Sequence, residues 1–594
     1  MPNDPSSPPR HFVGRVDVRG RCVDAFPAPD DPDAPATVEV AIDHPEGTWL
    51  EVRHLGHLIE DVVLATADSA LATLYTLAAD VGMSPIHSES VRRESHRWLD
   101  APGIDDPSLV DRTDLPLITI DEPTSRDLDQ AVFVEATFEG YVVWYAIADA
   151  AHFAPAGSAL FDAALDRGAT YYLPGLTLPM LPRALSEDLC SLGPNVDRRA
   201  LLFRVVLDRR ARVLDTSIER ARVRSRLKTS YDAVQRYYDT GVLDHDDGLD
   251  QELLDAVTNG LDQLEAVGRR RMDLAAVRDT VRLYRTEIRV RMGDDGLRFV
   301  ALADPRNDAE RYNEQISLLC NVEGARRLAR GGSRAQGVFR YHRPPGGHDL
   351  HHFARQIGAL VRRHRLDPAL WSWKPGGARS LAHYLAELPR GGDRDRLSRA
   401  IHRQALLAAG RSGFDVAPGI HHGVGADAYA RFTAPMREVV GVFVHKETWE
   451  LLGDRPAGDD HDDELLRQRV LAAAERARGT QRRLDSEVNR RVLDSLFEAD
   501  RREGRERTGT VMGVARNKVH VQLDDPPIDV KIYRRHLEDQ FGRRLRAGRD
   551  GVSLRRTRGG FAEVVVGDAV RVRPVGHDAD RDRWRLELFS AERS

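Results

Sequence analysis

The chain has 594 residues, 41% of them hydrophobic and 30% charged, with a formal net charge of −6. That length suggests about three to five domains of roughly 100–200 residues each. No apolar run approaches the roughly 18 residues of a membrane span, so a cytoplasmic protein without a membrane partner is expected. The three cysteines, Cys22, Cys190 and Cys320, are odd in number and far apart, which gives neither a disulfide framework nor a zinc pattern.

Charge is unevenly spread. Residues 1–110 carry a net −11 and residues 501–594 a net +7. A basic C-terminal module on an acidic chain points to a polyanion partner at that end.

Residues 1–10, MPNDPSSPPR, read as a disordered tail with no apolar signal core. Short strand-like runs follow at His11–Val18, Thr37–Ile42 and Trp49–His54, with a Pro/Asp loop over Phe26–Pro35. Leu71, Leu74, Leu77, Ala78 and Val81 then recur at helical spacing, with Ser69 as N-cap and Gly82 as C-cap. A second helix is expected over Glu89–Leu99. Together these make residues 11–110 a small α/β module, with a winged helix as one form it could take. Its acidity favours packing or gating over phosphate binding. APGIDDPSLV, residues 101–110, is a linker.

The stretch ITIDEPTSRDLDQAVFVE, residues 118–135, carries the chemistry. An apolar strand ending at Ile120 delivers Asp121. A turn-rich loop leads to Asp127, Leu128, Asp129 and Gln130, and a second strand spans Ala131–Val134. In an extended segment Asp127 and Asp129 share one face and Leu128 the other. Hard divalent cations prefer carboxylate oxygens, and three converging negative charges need a cation between them.

Further along, a mixed α/β region runs to about residue 455, and an arginine-laced helical pattern covers 462–503. Six strand-like runs then follow: Thr508–Val514, Lys518–Leu523, Asp529–Ile532, Phe561–Val566, Ala569–Val572 and Arg583–Leu588. Short strands with Gly and Asp turns suggest a small barrel, and positive charge makes it an OB-fold for RNA.

Three blocks, YLPG at 172–175, PMLPRALSEDLCSL at 179–192 and DR at 197–198, with FRYHRPP at 339–345 and GVGADAYARFTAPMR at 423–437, resemble the ribonuclease II / ribonuclease R (RNB) family of 3′-to-5′ exoribonucleases. The resemblance implies a multidomain α/β plus all-β fold. Residues 111–455 would form the mixed α/β RNB catalytic domain, 456–504 a helical connection packed on it, and 505–594 the OB-fold barrel. It implies a monomer that hydrolyses single-stranded RNA processively to 5′-mononucleotides with two Mg²⁺ ions, or Mn²⁺.

The family's four aspartates match Asp121, Asp127 and Asp129; Gln130 replaces the fourth. By this resemblance Asp121, Asp127, Asp129 and Gln130 would hold metal, and Asp129 would orient or deprotonate the attacking water. Arg437 would contact the scissile phosphate with its fixed fork. Tyr172 would stack on a base, Tyr231 would line the channel, and Glu314 would accept from a ribose 2′-OH. Gln315 replaces a second family glutamate. His342 and His445 read as structural.

After Arg437 the family tends to place an aromatic and an aspartate, but here the chain reads Glu438-Val439-Val440-Gly441. Two other classes of function remain: an inactive or weak RNA-binding relative, favoured by Gln130 and Gln315, and a nuclease for single-stranded DNA, if Glu314 does not check the sugar.

Overall fold

The structure is a computed structural model, and it describes residues 10–26, 37–40, 44–55, 58–244, 249–277, 280, 288–332, 335–392, 394–453, 460–558 and 562–590. Residues 1–9 of the expected tail and most of the Phe26–Pro35 loop lie outside the described residues, whereas Arg10 opens a strand.

The chain begins and ends in sheets of one design. The N-terminal sheet comprises Arg10–Val16, Arg21–Asp24, Thr37–Glu39, Trp49–Leu55 and Leu58–Ala65, ordered third, second, first, fourth, fifth. Arg507–Val514, Lys518–Leu523, Asp529–Tyr533, Ala569–Asp578 and Arg583–Ser590 repeat that order at the C-terminus. All pairings in both are antiparallel, the arrangement of a partly open OB-type barrel. The sequence concealed Arg21–Asp24 because only Cys22 in it is buried. It concealed Leu58–Ala65 because Val62 and Val63, adjacent in the chain, are both exposed.

The two expected helices form at Ala70–Asp80 and Glu89–Asp100, and Ser69 Oγ accepts from Ala72 N at the first N-terminus. The winged-helix form is corrected. Both helices follow the whole sheet: the first stacks Tyr75 on Trp49 of that sheet and also packs against Leu176–Leu178 and the long helix Asp460–Glu503, and the second packs against Ala159–Arg167.

The centre is a closed five-stranded barrel in the order Asp197–Asp208, Val213–Ser230, Val110–Asp121, Gln130–Ala136, Gly140–Ala148. Val213–Ser230 runs parallel to Val110–Asp121. Leu117, Val132, Val134, Val143, Ile147, Leu202 and Phe203 belong to its buried core. Helices Gln251–Val277 and Asp308–Gly331 pack around it.

The helix Asp460–Glu503 joins this core to the C-terminal sheet. Val470 and Ala473 lie in the barrel's hydrophobic cluster, while Leu484, Val488, Val492 and Phe497 share a cluster with Val511, Val519 and Leu586. A second clamp comes from helix Asp395–Ala409, whose Arg396 and Arg403 pair with Asp524 at 2.7 Å and Asp529 at 2.6 Å. The run expected to end at Val566 is instead Ala562–Val565, part of a separate three-stranded sheet with Leu545–Ala547 and Ser553–Arg556. Arginines dominate residues 543–556 and hide those two strands from a hydrophobic reading.

Candidate active site

Asp121 ends one barrel strand, and Asp127 and Asp129 precede the next, so the loop between them crosses the barrel rim. Leu128, 4% exposed, anchors the loop in the core. Its backbone is held at several points. Leu128 N donates to Ser191 Oγ at 3.1 Å, Ser191 Oγ donates to Arg126 O at 2.6 Å, and Ala148 N donates to Asp129 O at 2.8 Å. Ser191 lies in the block PMLPRALSEDLCSL, so that block props the acidic loop. Asp121 Oδ1 accepts from Glu122 N at 2.7 Å and Ser125 Oγ at 2.9 Å.

Asp129 is 2% exposed. One oxygen accepts from Met436 N at 3.0 Å; the other lies 2.5 Å from Arg437 Nε. That second contact is an ion pair without hydrogen-bond alignment. Burial pushes the Asp129 carboxyl up to about 6, against the pull of Arg437 and Met436 N–H. Burial alone would lower the Arg437 pKa, but Asp129, Tyr172, Asp121 and Asp127 outweigh it and hold the guanidinium charged. Three aspartates, a tyrosine and an arginine thus act on one locus. Asp129 Oδ2 is already paired with the Arg437 guanidinium, and the carboxylates of Asp121, Asp127 and Asp129 together supply the hard oxygen donors that a divalent cation takes.

Gln130 faces elsewhere. Its Nε2 donates to Thr433 O, and its Oε1 accepts from Tyr145 OH. Both ends of the amide are thus engaged in tying the acidic strand to the segment before Arg437. The same segment is held by Asn321, whose Oδ1 accepts from Phe432 N at 2.7 Å and Thr433 N at 3.2 Å. Glu438, where the family pattern is broken, pairs with Arg431 through both carboxylate oxygens. Burial would raise the Glu438 pKa, but Arg431 outweighs it and holds it below the usual range. The pair closes residues 432–437 into a clasp with Arg437 at its end.

Tyr172 sits on the short strand Tyr171–Leu173, with Tyr171 buried and Tyr172 46% exposed, and its hydroxyl donates to Asp127 Oδ2. Tyr231 opens a helix behind Ser230 as N-cap; its hydroxyl accepts from Asn313 Nδ2 at 3.3 Å, and burial followed by Asp121 pushes its pKa up to about 12. Glu314, next to Asn313, is exposed and pairs with Arg306 at 3.2 Å. His445 is fully buried and bonded to Phe432 O at 2.9 Å, and His342 accepts from Gly423 N at 3.1 Å; both are structural. Tyr145, Arg431 and Glu438 escaped the sequence reading. The only signal for them was the broken pattern after Arg437.

Among the described residues, the one group of three acidic side chains with oxygens within 4.8 Å of one another is Glu447, Glu450 and Asp463, not the rim aspartates. Lys446 Nζ already lies in that group, 2.8, 2.9 and 2.6 Å from the three. It is an internal ion cluster. No helix among the described residues is long and apolar enough to cross a membrane.

A family model described as the RNB domain matches residues 110–454. The chain is 26% identical over 513 residues to ribonuclease R of Escherichia coli, covering 82% of this chain and 58% of that protein. It is 31% identical over 392 residues to exoribonuclease 2 of Klebsiella pneumoniae, covering 65% and 56%. It thus spans little more than half the length of these relatives. A solved structure of Mycoplasma genitalium RNase R with ribose-methylated single-stranded RNA superposes with a TM-score of 0.78 at 20% identity, covering 98% of this chain and 89% of that one. With the family model covering more than half of its residues, the chain belongs to the RNB exoribonuclease family.

Proposed function

We propose that the chain is a metal-dependent 3′-to-5′ exoribonuclease that degrades single-stranded RNA processively to 5′-mononucleotides, acting as a cytoplasmic monomer. The observation that carries this reading is the buried Asp129 carboxylate against Arg437, with Asp121, Asp127 and the exposed Tyr172 around it.

Asp121, Asp127 and Asp129 would hold divalent metal, Mg²⁺ first, with Mn²⁺ as the substitute. When bound, it would lower the pKa of water and neutralise charge on the reacting phosphate. Asp129, with its pKa near 6, is a better base at neutral pH than an ordinary aspartate. It orients the attacking water and takes its proton. Arg437 offers a fixed fork to the phosphate, most of all as charge develops. Tyr172 stacks on the terminal base without reading it, and Tyr231 and Glu314 face the sugar. Gln130, whose amide is engaged by Thr433 and Tyr145, enters this reading as a brace and not as a ligand.

A second reading rests on the same residue: with a neutral amide in place of a fourth carboxylate, the chain binds RNA and cleaves it weakly or not at all. A time course on a 5′-labelled single-stranded RNA, with Mg²⁺ and with chelator, separates the two. Metal-dependent loss of full-length RNA straight to a short limit product supports the exonuclease. Intact RNA with a mobility shift supports the binder.

A further inference from the structure

One cavity borders the site at Arg437, and a second adjoins the first. The first, about 470 Å³, is lined by Gln130, Tyr172, Arg437, Arg340, Arg431 and Arg478. The second, about 460 Å³, is lined by Arg340, Arg411, Arg478, Ser412, His421 and Tyr429. Arg340 and Arg478 border both, so the two are neighbouring compartments with a shared wall of guanidinium groups. Each falls within the roughly 300–1,000 Å³ usual for small-molecule sites.

The shared wall is underneutralised. Arg431 is matched by Glu438 and Arg478 by Glu475 at 2.8 Å. Arg340 touches no carboxylate directly, and Glu438, already paired with Arg431, acts on it only at longer range. Its neighbours are Ser412 Oγ at 3.1 Å and the Phe414 ring at 6.0 Å, and among the described residues it forms no ion pair within 4.0 Å. Burial, and then Arg431, lower its pKa, with Glu438 pulling the other way. A half-buried cation with no carboxylate in direct contact leaves room for an added anion. The fold holds Arg340 firmly, through strand pairing with Phe414 and through its backbone N–H to Tyr429 O at 2.7 Å. Beside it His421, 9% exposed, keeps Nδ1 without a hydrogen-bond partner. Fixed guanidinium groups and an unsatisfied imidazole nitrogen around an empty volume call for a phosphate.

We propose that this pair of cavities is a nucleoside 5′-monophosphate site, in which Arg340 and Arg478 grip the phosphate of the product leaving the catalytic aspartates. The assignment rests on the hydrolytic reading above, since attack by water on each 3′-terminal phosphodiester releases a nucleoside 5′-monophosphate. A strand fed from one side must release each nucleotide without backing out, and a phosphate-binding compartment bordering Arg437 provides the path.

The test is titration of AMP and adenosine into the full-length protein with chelator present, so that no turnover occurs. AMP should bind at least about tenfold more tightly than adenosine, and Arg340→Gln should weaken AMP about tenfold while leaving adenosine unchanged, the scale of a lost charge-assisted hydrogen bond. Should R340Q fail to fold, Arg411→Gln on the open rim should weaken AMP about threefold. Equal binding of AMP and adenosine, or AMP affinity indifferent to both substitutions, overturns the site. The RNA time course is read separately. A protein that degrades RNA while its AMP affinity ignores Arg340 overturns the site and leaves the exonuclease standing. A protein that binds AMP through Arg340 but leaves RNA intact supports the phosphate site and overturns the hydrolytic origin of its ligand.

Discussion

Arg437 Nε lies 2.5 Å from Asp129 Oδ2, and the adjoining backbone N–H of Met436 reaches the other Asp129 oxygen at 3.0 Å. Two adjacent residues therefore both neutralise and orient the buried carboxylate. Asp129→Asn removes the base and the pairing charge while preserving shape. It should lower hydrolysis at least about a hundredfold, in the range of lost general-base catalysis, and leave RNA affinity within about twofold. A rate assay beside a gel-shift titration checks both. Persistent cleavage would assign the base elsewhere.

Gln130→Glu is nearly isosteric but cannot donate. It places a carboxylate against Thr433 O and should lower Tm at a cost of about 1–3 kcal/mol, without raising the rate of metal-dependent hydrolysis. A faster enzyme would mean that the amide limits metal binding, and would favour the weak-nuclease reading.

The Arg431–Glu438 clasp should act on turnover. Glu438→Gln frees residues 432–437 and should lower kcat about tenfold with KM for RNA little changed, because misplacing a positioned group costs rate first. The double exchange R431E/E438R should recover part of that loss. If KM and kcat fall together and the exchange recovers nothing, the pair only supports the fold.

His445 gives a pH signature. Burial depresses its pKa from 6.5 to about 4, so below pH 6.5 the unfolded chain takes up a proton that the folded one refuses until about pH 4. Folding stability falls as pH drops through that window, by about 3 kcal/mol for the whole interval. His445→Gln keeps a donor towards Phe432 O and should flatten the slope of denaturant-derived stability between pH 6.5 and 4. An unchanged slope would place the titrating groups elsewhere.

Removing the C-terminal sheet is no clean test of RNA binding, because Val488 and Phe497 share its core and would be stripped bare. The surface cations Lys531 and Arg583 line a cavity of about 650 Å³ between that sheet and the long helix. The double variant K531Q/R583Q should weaken single-stranded RNA binding and lower the slope of log affinity against log salt by about 1, through lost counterion release. An unchanged slope would exclude RNA from this face.

The sequence by itself determined the acidic loop, its two flanking strands, the catalytic blocks and the two N-terminal helices. Each rests on short-range signals: apolar runs through Leu117–Ile120 and Ala131–Val134, the Ser69 cap, and the spacing of Asp121, Asp127 and Asp129. Only the tertiary structure decided what those residues do for one another. Gln130 finds its partner 303 residues away, and Asp129 finds Met436 across 307. No local periodicity encodes such pairings. The same holds for the repeated strand order of the two terminal sheets, which is a property of hydrogen bonding between strands far apart in the chain. Position along the chain pointed to candidate groups for the chemistry, whereas their burial, their partners and their charge states were set by closure of the barrel and by the segment that returns to its rim.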